Sequence, residues 1–165
     1  MADLVIENPN FALWSGSSNP QQHHYGKHGL LIHTTEVVEL CLLNNKYFPL
    51  SKQAPPKLLY LAALYHDVGK IWDYVPTTPD YSEWGSALHK KKIHHVSRSA
   101  IFWAENASKI ECVNEQEKDE VLHAILSHHQ LREWGSPVRP LTPLAWLLHL
   151  CDNMSARLDD CSKIG

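Results

Sequence analysis

The sequence predicts an all-α, single-domain fold, a helical bundle with five or more core helices. Five segments carry apolar side chains at three- and four-residue spacing, which is the period of one helix face. No segment alternates convincingly between polar and apolar residues, as a half-buried strand would. The length of 165 residues and the 44% hydrophobic content suit one domain with a sizeable core.

The first half of the chain contains two predicted helices. Residues 1–28 are mixed and polar, and we expect them to wrap the domain as an irregular segment. A first helix follows from about Gly29 to Lys46. Pro55-Pro56 open the second helix, whose dense apolar run ends at His66-Asp67, and Gly69 is a suitable helix stop.

Three further helices are predicted in the second half. Residues 71–90 are expected to be a loop, and third and fourth helices follow at about 92–107 and 114–129. A fifth helix begins near Thr142, whose side chain caps the proline that follows, and reaches Asp152. The predicted organisation is an irregular segment, one helical domain and a tail, at residues 1–28, 29–160 and 161–165.

Composition excludes some classes of protein. The net charge of −3 gives no global basic field for nucleic acid. The four cysteines form no C-x-x-C pair, the N-terminus does not resemble a signal peptide, and no apolar run approaches the ~18 residues of a membrane helix. We therefore expect a cytoplasmic protein without membrane contact.

Histidine is the compositional anomaly. The chain has 12 histidines, where average usage gives about four, and most lie in tight clusters. Several of these, together with two aspartates, sit on or beside the apolar faces of different predicted helices, so their polar ends are expected to meet inside the bundle. These candidate metal ligands are His33, His66, Asp67, His95, His128, His129 and Asp152.

A shared divalent cation would offset the cost of burying these groups, which is several kcal/mol for a charge without a partner. Imidazole and carboxylate ligands suit Mn, Fe, Co, Ni or Zn better than Ca, and Mg is a further candidate. Asp67 follows His66 directly, so its two oxygens are placed to bridge two ions. Lys70 lies three residues further on, where it is expected to neutralise charge on a phosphate oxygen. Asp67 and Lys70 are therefore the candidate catalytic residues.

Individual residues allow other interpretations. A single histidine is more often a structural residue than a ligand, and we assign that role to His123 and His149. For His89 and His94 both roles stay open. The aromatic residues of segment 72–84 are either core cover or a substrate lid. A purely structural zinc site fits less well, since such sites are usually cysteine-rich and closed.

The ordered set resembles the HD-domain phosphohydrolase superfamily, which implies a helical bundle of the HD type. The resemblance rests on the HDVGK string and on the histidines and aspartate around it, over about 120 residues. The extra middle histidines are similar to those of the two-metal subgroup. By position, the resemblance implies as metal ligands His33, His66, Asp67, His95, His128 and Asp152, with His129 as a further ligand or a substrate contact.

Two shorter stretches of the sequence show a closer resemblance to particular HD domains. HHYGKHGLLIHTTEV resembles the HHxYxGGLLxHT stretch that opens some HD domains. SHHQLREWGSPVRPLTPLAWLLHLCDNMSAR resembles the end of the HD domain in 3′–5′ exoribonucleases that also carry an OB fold. The sequence departs from that family in lacking a preceding OB-fold segment, in Lys27-His28, and in residues 153–157.

The expected function is therefore hydrolysis of phosphoester bonds in nucleotides or at single-stranded nucleic-acid 3′ ends, by metal-activated water with two ions. Candidate substrate contacts are the arginines around the last ligands, which could equally form surface ion pairs, and a tryptophan that could stack a base or anchor a loop: Arg132, Arg139, Arg157 and Trp134. The alternative is a non-catalytic HD module that binds a nucleotide as a sensor. A homodimer is compatible with either.

Overall fold

The described part of the chain consists mainly of α-helices. The computed structural model describes residues 8 and 10–164. Within them the α-helices are α1 (Gly29–Asn45), α2 (Pro56–Tyr65), α3 (Lys70–Asp73), α4 (Leu88–Lys92), α5 (His95–Asn106), α6 (Glu115–Ser127) and α7 (Pro143–Ser162). Two strands, β1 (Tyr74–Pro76) and β2 (Trp84–Ser86), and three short 3₁₀ turns at Leu50–Lys52, Ala107–Lys109 and Arg132–Trp134 complete the described part. The all-α, single-domain prediction is confirmed.

Helix α2 is the centre of the core because it is apolar on every side. Its buried residues run without a break from Leu61 to Tyr65, the pattern of a helix surrounded by protein. Helices α1, α6 and α7 pack against it, and α5 covers α6. Pro56 occupies its first turn as predicted. His66 and Asp67 follow directly after the last residue of α2, and both are also buried.

Side-chain caps set the starts of the last two long helices. Asn114 and Glu117 form a reciprocal capping box at α6. The hydroxyl of Thr142 accepts a hydrogen bond from the Ala145 amide at the start of α7, as predicted. Helix α7 continues beyond Asp152 to Ser162, since no proline or glycine interrupts it.

The prediction of a loop for segment 71–90 is wrong. The segment includes most of α3, a short antiparallel hairpin that pairs Tyr74 with Ser86, and the first residues of α4. Three-residue strands are too short for an alternation pattern to show in the sequence. Trp84 is buried and packs edge-on against Trp14 at 5.1 Å between ring centroids. The Trp14 indole donates a hydrogen bond to the Tyr74 carbonyl. Trp84 therefore packs over the core together with Trp14.

Residues 10–28 lie along the bundle without regular helix. The Gly16 amide donates a hydrogen bond of 2.8 Å to the His24 carbonyl, and the Leu30 amide donates to the Trp14 carbonyl. A Cβ atom on Gly29 would lie 1.8 Å from the His24 oxygen, so this close approach requires glycine. None of the described helices is both long and apolar enough to span a membrane.

Candidate metal centre

All seven predicted ligands converge at one end of α2. His66 directly follows α2, Asp67 lies in the turn before α3, and Asp152 comes from the middle of α7. The others come from α1, the start of α5 and the end of α6. Their side chains form two groups that share Asp67: His33, His66, Asp67 and Asp152 in the first, and Asp67, His95, His128 and His129 in the second.

All four residues of the first group are buried. The Nε2 atom of His33 lies 3.0 Å from Oδ1 of Asp152 and 3.3 Å from Oδ2 of Asp67. The Nε2 atom of His66 is 3.3 Å from that of His33 and 3.5 Å from Oδ2 of Asp67. Ligands about 2.0–2.2 Å from one ion are themselves about 3.0–3.5 Å apart. These spacings therefore fit the edges of a coordination shell.

The second group is defined by buried atoms that lack hydrogen-bond partners among the described residues. Oδ1 of Asp67 and the Nε2 atoms of His95 and His128 are all of this kind. The two nitrogens lie 3.5 and 3.6 Å from that oxygen. Leaving such atoms unsatisfied costs about 1–3 kcal/mol each. A cation between them would satisfy all three, so the residues fit a metal.

Each of the five histidines is held by its other ring nitrogen. The Nδ1–H of His66 donates to the Ala63 carbonyl, and that of His128 to the Ile125 carbonyl, both at 2.7 Å. The remaining acceptors are Ser155 for His33, Asp73 for His95 and the Trp134 carbonyl for His129. Such bonds would keep one proton on Nδ1 and leave the Nε2 lone pair turned towards an ion at the centre.

The carboxylates of the centre are ionised. Burial alone would raise their pKa values, but Lys70 and His66 hold the pKa of Asp67 well below its usual range. Hydrogen bonds from His33 and His66 do the same for Asp152. Burial opposes a charge on His33, yet its hydrogen bonds with Asp152 and Asp67 raise its pKa.

Lys70 is part of the same cluster. Its Nζ atom lies 2.6 Å from Oδ2 of Asp67, and the side chain is buried. Burial disfavours the ammonium, but the Asp67 charge outweighs this and raises the pKa of Lys70. Lys70 therefore brings a fixed positive charge to the rim of the centre.

Gly69 allows the HDVGK segment to reach α5. A Cβ atom there would lie 2.2 Å from the His95 carbonyl oxygen. The Gly69 amide donates to the hydroxyl of Ser99 at 2.9 Å. The sequence had suggested a helix stop, but Gly69 has ordinary right-handed angles. Its role is close backbone packing, which places Asp67 beside His95.

A cleft of about 280 Å³ opens onto the centre. Of the predicted substrate contacts, Trp134 and Arg157 line it, whereas Arg132 and Arg139 line a separate hollow. The residues around the cleft are Gln22, His23, Lys70, His128, His129, Trp134, His149, Asp152, Asn153, Ala156, Arg157 and Asp160.

Several neighbours of the centre were not predicted. Asp73 accepts hydrogen bonds from the backbone and ring of His95 at 2.8 and 3.1 Å and from His89 at 2.6 Å. It lay in the segment expected to be a loop. Ser155 on α7 orients His33, three residues past Asp152. Its helical spacing from Asp152 was the signal that could have found it.

The histidines outside the predicted ligand set divide by position. His123 accepts a hydrogen bond from the Leu141 amide, in agreement with a structural role. His149 borders the cleft and donates to the His128 carbonyl at 2.7 Å, so it supports a candidate ligand. His94 lies with Asp73 and His95 in a third group, but the carboxylate of Asp73 already accepts from His89 and His95.

Comparison with known protein families identifies a match that covers most of the chain. The model of the HD domain family matches residues 30–157, a range that contains all seven residues of the two groups. No solved structure matches the chain at a significant level. Since the family model covers well over half of the sequence, the chain belongs to the HD domain family.

Proposed function

We propose that this protein is a metal-dependent phosphohydrolase with two ions, acting on nucleotides or on single-stranded nucleic-acid 3′ ends. Members of the HD family are generally metal-dependent hydrolases. The observation that carries the proposal is Asp67, whose two oxygens face two separate groups of ligand atoms. A structural metal site would need only one group and no open cleft.

The residues of the two groups would hold the ions, one on each side of Asp67. When bound, such ions activate water and neutralise phosphoryl charge. The Nδ1 hydrogen bonds keep the five imidazoles oriented, so the ligand atoms need not rearrange on binding. Lys70 holds Asp67 and presents its ammonium to the cleft, where it would stabilise negative charge on a phosphate oxygen.

The residues that line the cleft support the proposal of a nucleotide-sized substrate. Trp134 is 48% exposed on its wall, enough to offer a ring face to a base. Arg157 lines the same cleft, where it would contact a phosphate. Arg132 and Arg139 lie outside the cleft, so we propose that they contact only a substrate that extends beyond it, such as an oligonucleotide.

Two further proposals concern assembly and location. Phe48, Trp146 and Leu150 line an apolar surface hollow, and we propose this face for the homodimer. Size-exclusion chromatography with light scattering would test it: a monomer at all concentrations would contradict it. A cytoplasmic location stays a prediction from the sequence.

Turnover of a substrate panel tests the proposed function. The purified protein with added Mn would be given dNTPs, nucleoside monophosphates, linear and cyclic dinucleotides, and short single-stranded RNA and DNA. Asp67→Ala should abolish turnover and leave a folded protein, while Asp119→Ala, at an exposed position of α6, should not change it. Full activity of Asp67→Ala would refute the proposal.

The panel also separates the alternatives. Release of mononucleotides from oligonucleotides would indicate an exonuclease. In that case Arg139→Ala should slow the hydrolysis of oligonucleotides but not that of mononucleotides. Turnover of free nucleotides alone would indicate a small-molecule phosphohydrolase. Tight nucleotide binding without turnover in Mn, Co, Ni and Mg would indicate the sensor instead.

A further inference from the structure

We propose that residues 22–24, here called the strap, form a substrate-binding wall of the cleft, with His23 as a direct substrate contact and Asp160 as an acceptor for a sugar hydroxyl. This inference rests on the proposed function and narrows its substrate class to phosphoesters of hydroxyl-bearing sugars such as ribonucleotides. The strap precedes the region that matches the HD family, residues 30–157.

The strap lies beside the metal centre. Gln22 and His23 line the cleft together with Lys70, Asp152 and Arg157. The His23 ring centroid is 5.8 Å from that of His33, a member of the first ligand group. A phosphate held at the centre would therefore lie within reach of the His23 ring.

The end of α7 holds the strap in place. The His24 amide donates a hydrogen bond of 2.8 Å to the carboxylate of Asp159. Lys163 donates to the Gln22 carbonyl and forms an ion pair of 2.9 Å with Asp159. These anchors bind the backbone on both sides of His23 and leave its ring free for the cleft.

A chain of hydrogen bonds connects the strap with the first ligand group. The His24 ring donates to Glu36 at 3.0 Å, and the Ser155 hydroxyl donates to the same oxygen at 2.7 Å. Ser155 in turn accepts from the Nδ1–H of His33 at 3.0 Å. One network thus fixes the strap and orients a candidate ligand, which pre-organises both for one substrate.

One polar atom of a cleft-lining residue lacks a protein partner among the described residues. Oδ1 of Asp160 is buried and accepts no hydrogen bond. The nearest nitrogen of His23 is 3.9 Å away, too far for one. The other Asp160 oxygen lies 3.5 Å from Arg157. A substrate that donates a hydroxyl to Oδ1 and offers a phosphoryl oxygen to His23 and Arg157 would satisfy this arrangement.

Variants at the two positions test the inference. Turnover and calorimetric binding would be measured on the Mn-loaded protein with adenosine 5′-monophosphate and its 2′-deoxy and 3′-deoxy forms. His23→Ala should raise KM and Kd about 10- to 100-fold, the effect of one hydrogen bond to a charged group, with kcat little changed. Asp160→Asn should reduce the preference for the ribose form. His23→Asn should recover part of the binding.

Controls separate a substrate contact from a structural role. The bound Mn per chain should be the same in all variants. Gln21→Ala, at an exposed neighbouring position outside the cleft, should bind like the unmodified protein. Unchanged KM and Kd in His23→Ala would overturn this inference and leave the proposed function intact. An unmodified protein that neither binds nor hydrolyses any of the three nucleotides would overturn the inference, and its inactivity on the remaining panel would overturn the proposed function.

Discussion

Asp73 is predicted to control the second ligand group without touching an ion. It is fully buried, and one of its oxygens accepts from both the amide and the Nδ1–H of His95, while the other accepts from His89. Asp73→Ala leaves two buried donors of His95 unsatisfied, at about 1–3 kcal/mol each. For a protein of this size the melting temperature should fall by roughly 4 °C or more.

The same substitution should weaken metal binding. A partner of this kind sets the orientation and basicity of its histidine, and its loss typically lowers affinity about 10- to 100-fold. Titration with Mn, followed by elemental analysis after dialysis at controlled free metal, should show one ion per chain retained and the second lost. His89→Ala is the matched control, because it removes a contact of Asp73 but none of His95. Two ions held with unchanged affinity in Asp73→Ala would refute the reasoning.

Three further predictions follow from the geometry. Mn at about 100 times its Kd should stabilise the protein by about 2.7 kcal/mol, visible as a rise in melting temperature, and Asp67→Ala should abolish that rise; equal stabilisation of both proteins would contradict a role of Asp67 in binding. Gly69→Ala should lower metal occupancy and stability together, since the new Cβ would meet the His95 carbonyl at 2.2 Å; calorimetry with elemental analysis showing no change would contradict the close packing. Thr142→Ala should cost about 1 kcal/mol through the lost cap of α7, with metal content unchanged; a loss of metal would show that the cap also positions Asp152.

The sequence was sufficient for the helices and for the convergence of the candidate ligands. Helical periodicity located the long helices. The ligands lie on these helices or directly after their last residues, where a bundle brings them together. The division into two groups is a finding of the structure: His66 and Asp67 both belong to the first group, and Asp67 alone is shared with the second.

Features that depend on tertiary contacts could not be predicted from the sequence. Asp73 becomes a partner of His95 only because α3 packs against the start of α5. Arg132 and Arg139 follow His129 closely, yet the turn at Gly135, with a φ of 99°, belongs to a loop whose course no periodicity could indicate. The strap reaches the cleft through hydrogen bonds to residues more than 130 positions away.

Anomalous diffraction from crystals soaked in Mn, recorded at its absorption edge, would show whether Asp67 lies between two ions. We expect two anomalous peaks, one on each side of the Asp67 carboxylate. One should be bound by His33, His66 and Asp152, and the other by His95, His128 and His129. A single peak, or peaks away from Asp67, would contradict the two-ion centre.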